Sequence, residues 1–290
     1  MNKNRLDIGI TNTSYGSHPY TEALDKISAH GYGFIDFQGF VNIESQSFRL
    51  DIPEFTEWLL GYRRDASMRG VGIWQAHAPW RYPARDASAE ERILWIEAMK
   101  KAIYGAHVLG CMLFVVHPLM PYMDSSEGKD EVISLNRVFF SELLDTAKEF
   151  DITVCIENLP FTEYPLSTVE AVCRFVDEME RDNFKVCLDT GHAAIFSPDV
   201  ASAVRYIGTR LAALHIHDNM GDTDAHLQPG DGIIDWDAFA EALREIGFSG
   251  VISLETSAKC HFYPECEWEE RERHLADIAR EIAAKAYREK

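Results

Sequence analysis

The feature that most limits what this chain can become is an alternation. Short runs rich in β-branched and aromatic residues recur, and each is followed by a longer segment with helical periodicity. The runs are Leu6–Ile10, Gly33–Phe37, Val71–Ala76, Met112–Val116, Ile152–Glu157, Phe184–Asp189, Leu211–Ile216 and Val251–Glu255. Amphipathic stretches lie near 20–30, 53–69, 88–109, 131–149, 167–181, 199–208 and 236–247, with a last one at 267–288. Gly31, Gly70, Gly110 and Gly247 stand just ahead of strands and mark helix C-termini. Alternating strand–helix units predict an α/β fold, a parallel sheet with helices outside it. Eight of them in 290 residues have the dimension of a (β/α)8 TIM barrel. The competing open, doubly wound sheet lacks its glycine-rich turn after the first strand. No low-complexity linker divides the chain, so residues 1–290 read as a single domain.

Composition narrows the partners. Apolar residues make up 46% and charged ones 26%, enough apolar material for a core. The formal net charge of −19 repels phosphate backbones and anionic lipid at long range, so neither nucleic acid nor membrane is expected as a partner. No apolar run approaches the roughly 20 residues of a membrane-spanning helix. The segment from Met1 has no signal-peptide apolar stretch, and the expectation is a cytoplasmic protein. Self-association into a homo-oligomer stays open. Cys155 and Cys187 lie in apolar strands, where buried reduced thiols are common; Cys260 and Cys266 share a loop and are also read as free thiols.

In such a barrel, active sites form where strands end and the following loops begin. Those positions carry an unusual set of side chains. Strand 3 runs into His77 and strand 4 into His117; strand 5 ends at Glu157-Asn158 and strand 6 at Asp189-Thr190-Gly191-His192. Strand 7 gives His215-Ile216-His217-Asp218-Asn219, with Asp224-Ala225-His226 beyond it, and strand 8 closes with Glu255. Each residue has a plainer explanation alone: His117 as a loop residue, Glu157 or Glu255 paired with an arginine, Asp189 capping the next turn. Six consecutive strand ends are harder to explain that way. Carboxylates crowded at the ends of apolar strands need a cation. Oxygen with imidazole suits Mn²⁺ or Zn²⁺ first, with Mg²⁺ and Co²⁺ as further choices.

The spacing resembles the xylose-isomerase-like TIM-barrel superfamily, which holds sugar phosphate isomerases and epimerases, ketose 3-epimerases, inosose-handling enzymes and endonuclease IV. The strongest match runs from Cys187-Leu188-Asp189-Thr190-Gly191-His192 through Leu214-His215-Ile216-His217-Asp218-Asn219 to Glu255, and includes Gln228-Pro229-Gly230-Asp231-Gly232. The resemblance implies metal ligands at Glu157, Asp189, His215 and Glu255. From the endonuclease IV branch it implies a further set, for additional metal or for substrate, at His77, His117, His192, Asp224 and His226. Endonuclease IV presents basic loops to DNA, and this chain is strongly acidic. Ketose 3-epimerases carry an Asn-Arg-Phe-Glu type segment after strand 5, where this chain has Asn158-Leu159-Pro160-Phe161. The arginine they place shortly after the strand 7 histidine is replaced by Asn219 and Met220.

Two glutamates on one metal suit proton transfer next to a carbonyl. The cation stabilises a developing enediolate, and Glu157 and Glu255 approach from strands 5 and 8 as an acid/base pair. The leading expectation is a metal-dependent sugar or sugar phosphate isomerase or epimerase acting on a small carbohydrate. The alternatives are an endonuclease IV-like phosphodiesterase or other hydrolase or lyase on the same centre, and a binding protein that keeps the barrel. Phe40, Trp80 and Phe161 are candidate walls for a sugar's CH faces, against a competing role in the core. His192 is read as binding substrate or a second metal, or else as orienting Asp189. His217 is placed on the opposite side of the strand from His215 only if the strand persists that far, and is left outside the ligand set. The loop Thr256–Trp268 is read as a lid or a subunit contact.

Overall fold

The computed structural model describes residues 5–15, 19–80, 88–120, 128–257, 259 and 262–287. Eight parallel strands run β1 (Asp7–Thr11), β2 (Phe34–Phe37), β3 (Gly72–His77), β4 (Leu113–Val116), β5 (Thr153–Glu157), β6 (Phe184–Asp189), β7 (Leu211–His215) and β8 (Val251–Leu254). Each lies within a residue or so of the boundaries expected from the sequence. Pairing follows chain order from β1 to β7, with β8 on the other side of β1. The remaining seam, β7 to β8, is closed by Ile216: its N–H donates to Ser253 O at 2.9 Å and its carbonyl accepts from Glu255 N–H at 2.9 Å. The single-domain (β/α)8 TIM barrel is thereby complete.

The helices are α1 (Tyr20–Ala29), α2 (Ile52–Met68), α3 (Ala89–Leu109), α4 (Lys129–Glu149), α5 (Val169–Met179), α6 (Thr190–Phe196), α7 (Val200–Ile207), α8 (Trp236–Glu245) and α9 (Trp268–Ala286). Side chains at their starts accept from exposed N–H groups: Asp51 from Glu54, Ser88 from Glu91, Thr168 from Ala171 and Asp235 from Ala238. The four glycines singled out at helix ends all adopt φ between 70° and 80°, which costs other residues strain. One helix, α6, is absent from the sequence reading. It follows β6 with no intervening loop, because the residue that ends the strand, Asp189, also caps the helix.

Strand alternation sorts the side chains into two environments. Ile10, Ile35, Phe114, Val154, Ile156, Val186, Leu188 and Leu214 join the core shared with the helices. Val115, Cys155, Cys187 and Ala213 face the lumen and form a separate small cluster. Small lumen residues leave the space above them to larger polar groups. Cys111, Cys155, Cys173 and Cys187 are buried free thiols and Cys266 is an exposed one; Cys260 lies outside the described residues.

The outer core is anchored by aromatic rings. Phe140 of α4 is wholly buried, with ring centroids of Phe184 at 5.1 Å and Phe175 at 5.7 Å. Phe140→Ala removes a ring that closely packed neighbours cannot replace. It should lower the unfolding free energy by about 3–5 kcal/mol in urea denaturation. A loss below 1 kcal/mol would mean that this helix–barrel contact is dispensable.

Candidate metal centre

Parallel strands all end at the same mouth, and a period of two decides which residues look inward. Glu157 lies two residues beyond Cys155, Asp189 beyond Cys187, His215 beyond Ala213, and His117 beyond Val115. Each polar residue therefore stands directly over a lumen-facing small one. Among the described residues, the ligand atoms of Glu157, Asp189, His215 and Glu255 all lie within 4.8 Å of one another. His215 Nδ1 is 2.9 Å from Glu157 Oε1 and 3.2 Å from Glu255 Oε2.

The additional candidates gather on both sides of this group. His77 Nε2 and His117 Nε2 approach to 3.3 Å, and both face Glu157 Oε2, at 3.4 and 3.1 Å. Glu157 thus has one oxygen toward each set. On the other side, Asp224 Oδ2 lies 3.2 Å from His192 Nε2 and 3.4 Å from His226 Nε2.

Backbone carbonyls reveal the ring orientation of three of these histidines. Nδ1 of His77 meets Ala78 O at 2.7 Å, Nδ1 of His192 meets Asn158 O at 2.8 Å, and Nδ1 of His226 meets Glu255 O at 2.7 Å. A carbonyl only accepts, so each Nδ1 carries the proton. In a neutral ring Nε2 then offers a lone pair, and here each Nε2 is aimed at a carboxylate oxygen. Two lone pairs facing each other at 3.2–3.4 Å are repulsive unless a cation or proton stands between them. Glu157 Oε2 is buried and has no hydrogen-bond partner among the described residues. Orphaned oxygen and imidazole lone pairs converging in a buried mouth are the donor set of a divalent cation. The residues present fit such an ion.

Electrostatics say the same in another form. Burial disfavours imidazolium at His192 and His226, yet Asp189 and Asp224 raise the first, and Asp224 and Glu255 the second, to about 10. His215 is also raised against its burial, by Cys187, Glu157 and Glu255 around it. Burial disfavours the charged form of Glu157, but His215 and His117 hold it well below the usual carboxylate range. The site demands positive charge, and protons answer that demand when no metal does.

Three residues of the centre escaped the sequence reading. His217 is wholly buried inside it, with Nε2 donating to Asp189 Oδ2 at 3.0 Å and its ring stacked on His226 at 4.0 Å. Its placement away from His215 is corrected: two steps along an extended chain return a side chain to the same side. Gly191 makes room for the ring, since a Cβ there would stand 2.0 Å from His217 Cε1. Asp36 of β2 reaches His215 Nε2 at 2.9 Å, and Gln38 Nε2 donates to Glu255 Oε1 at 2.6 Å. A charged residue within Phe34-Ile35-Asp36-Phe37 was the readable signal for Asp36.

Other motif residues have scaffold roles. Asn158 bonds both backbone groups of Asp189, extending the β5–β6 ladder past the last strand residue. Asp218 accepts from the N–H groups of Asn219, Gly230 and Ile234 and from Trp236 Nε1, which folds the 219–236 loop over the centre. Asp189 Oδ1 accepts from His192 N–H at 2.6 Å, so this residue is both helix cap and candidate ligand. Of the wall candidates, Trp80 packs edge-on against His117 at 5.7 Å and Phe161 is exposed. Phe40 is corrected to a core residue: it is buried against Phe37, Phe48 and Phe55, because the residues around β2 and α2 form an aromatic cluster. Beside Glu255 opens a cavity of about 190 Å³ lined by Thr11, Thr13, Ser14, Gln38, His226, Thr256 and Ser257. The 256–268 loop is tied to its surroundings by Ser257 Oγ to Ser14 O at 2.6 Å and by Gln228 N–H to Tyr263 Oη at 2.8 Å.

Known proteins share this architecture. The chain is 28% identical to a D-psicose 3-epimerase of Enterocloster bolteae over 81% of its own length and 76% of the relative's. It is 27% identical to an inosose isomerase of Bacillus velezensis, covering 80% and 81% of the two chains. A crystal structure of the IOLI protein with a bound zinc atom superposes with a TM-score of 0.77 at 21% identity, covering 98% of this chain and 100% of that one, which speaks for the fold. The family model for the xylose isomerase-like TIM barrel matches residues 24–282, and the chain belongs to that family.

Proposed function

We propose that this chain is a metal-dependent isomerase or epimerase of a sugar or sugar phosphate. The observation that carries the reading is the pair of carboxylates, from β5 and from the end of β8, that flank His215 Nδ1 at 2.9 and 3.2 Å. Relatives named as D-psicose 3-epimerase and inosose isomerase support the reaction class. The zinc atom in the superposable IOLI structure supports a divalent metal, with Zn²⁺ or Mn²⁺ preferred and Mg²⁺ or Co²⁺ acceptable to the same donors. Glu157, Asp189, His215 and Glu255 would hold it.

Bound there, a divalent cation supplies Lewis-acid stabilisation for negative charge developing on a substrate's carbonyl oxygen. The chain's own groups move the proton. Glu255 is the more open carboxylate, with 17% of its side chain exposed beside the cavity, and Gln38 holds its other oxygen in place. It takes the proton from carbon next to the carbonyl. Glu157 stands across the centre and returns a proton from the other side, which inverts the carbon. Return by the same carboxylate to the neighbouring carbon gives aldose–ketose isomerisation instead. Thr11, Ser14 and Thr256 line the cavity beside Glu255; their hydroxyls are held by one another and by backbone carbonyls and keep acceptor capacity for a polyol.

One observation favours a second reading. His77 and His117 with Glu157, and His192 and His226 with Asp224, are two further donor groups of cation size. Three ions in a row would suit phosphodiester hydrolysis of the endonuclease IV kind. The net charge of −19 opposes DNA as that substrate.

Metal analysis of protein purified without added metal or chelator separates the two: one ion per chain supports the isomerase reading, and three zinc ions the phosphodiesterase. Loading should also release protons, because Cys187, Glu157 and Glu255 raise the His215 imidazole well above its usual range when no cation is bound, and a cation on that ring takes the proton's place. Apparent affinity should therefore rise with pH between 6 and 9; a flat profile would mean that the metal displaces no proton from His215. Glu157→Gln and Glu255→Gln should each cut kcat by about 10²- to 10⁴-fold with the barrel still folded. Near-wild-type turnover in either variant would remove the two-carboxylate mechanism. In D₂O, a ketose that is a substrate should gain deuterium at the carbon beside its carbonyl, and a chelator should stop the exchange. No exchange and no product across free and phosphorylated ketoses, with metal bound, would overturn the isomerase reading.

A further inference from the structure

One buried carboxyl group in contact with His215 lies outside the proposed ligand set. Asp36 is wholly buried, and its Oδ1 has no hydrogen-bond partner among the described residues. Its Oδ2 lies 2.9 Å from His215 Nε2 and accepts from Gln75 Nε2 at 3.1 Å. The same Gln75 nitrogen donates to the carbonyl of Leu214, the residue before His215, at 3.1 Å. Gln75 is itself fully buried, and its Oε1 also lacks a partner among the described residues. A buried carboxylate with so little hydrogen bonding is costly unless a charged or strongly polarised group answers it. Only His215 is placed to do so among the described residues.

The two ring nitrogens of His215 face opposite ways. Nδ1 looks to Glu157 and Glu255; Nε2 looks down the lumen to Asp36. A neutral ring with its proton on Nδ1 would set the Nε2 lone pair against a carboxylate at 2.9 Å. With the proton on Nε2, that contact becomes a close charge-to-dipole attraction at 2.9 Å, off the straight line of a hydrogen bond, and the Nδ1 lone pair is presented to the carboxylate cluster. The partner on the far nitrogen thus decides which nitrogen is free to bind a cation.

We propose that Asp36 is the positioning residue of the metal centre. It holds the Nε2–H tautomer of His215 and makes Nδ1 a stronger donor, and Gln75 keeps Asp36 in register with His215 by bonding both Asp36 and the backbone of Leu214. The inference rests on Glu157, Asp189, His215 and Glu255 being cation ligands. A carboxylate that merely filled the lumen would be replaced by the isosteric amide without effect on metal.

The full-length chain, with ¹⁵N-labelled histidine, is titrated with Zn²⁺ while the ring nitrogens of His215 are followed by ¹H–¹⁵N correlation. In the wild type, the expected loaded form carries its proton on Nε2. In Asp36→Asn, the affinity read from the His215 signals should fall by about 10- to 100-fold, the range for losing such a partner. Gln75→Met leaves the carboxylate but frees it, and should fall between the two; it also keeps the question open to measurement if Asp36→Asn folds poorly. A proton on Nδ1 in the loaded wild type, or unchanged affinity in folded Asp36→Asn, overturns the role of Asp36 alone. A wild-type chain that binds no Zn²⁺ overturns the cation reading and this inference with it.

Discussion

Carboxylate oxygens face imidazole nitrogens at 2.9–3.4 Å around Glu157, Asp224 and Glu255, and much of the barrel mouth is organised around that confrontation. Each contact is favourable only with positive charge between the partners, from a proton or from a cation. Glu157 is the hinge of the arrangement, buried, with one oxygen toward His77 and His117 and the other toward His215. Removing the charge that these groups share would leave several desolvated anions in one small volume. A closed sheet tolerates that cost because its strands hold the donors where they are.

The scaffold does this in layers. Lumen residues beneath the centre are small, and the apolar surface that drives folding lies on the other face of the strands, against the helices. Folding energy and site chemistry therefore occupy opposite sides of the same residues' neighbours. Backbone carbonyls at Ala78, Asn158 and Glu255 orient three rings without contributing charge. Asp218 spends its acceptor capacity on four N–H groups of the 219–236 loop, which sets it apart from the carboxylates whose oxygens meet histidines.

How much of this was readable depended on whether the signal was local. The strands and most helices were, because period two and period 3.6 are properties of neighbouring residues. Glu157, Asp189, His215 and Glu255 were, because they stand at the ends of apolar runs, where polar side chains are out of place. Helix α6 was not: it has seven residues, a glycine at its second position, and no loop to announce it. His217 was missed through an error of parity, and Phe40 was assigned to the mouth because nothing local distinguishes a ring that faces a ligand from one that meets Phe37 and Phe55.

The sequence by itself determined the order of strands and helices, the acid excess of the surface, and the chemical types waiting at each strand end. Those follow from composition and periodicity, which need no knowledge of what lies across the fold. Tertiary structure alone decided that Asp36 of β2 meets His215 of β7, that Gln38 holds Glu255, and that Glu157 stands between two sets of histidines. Those partners are separated by as many as 217 residues. Only closure of the barrel brings them within hydrogen-bonding distance, because the radius of an eight-stranded lumen is what lets side chains from non-adjacent strands touch.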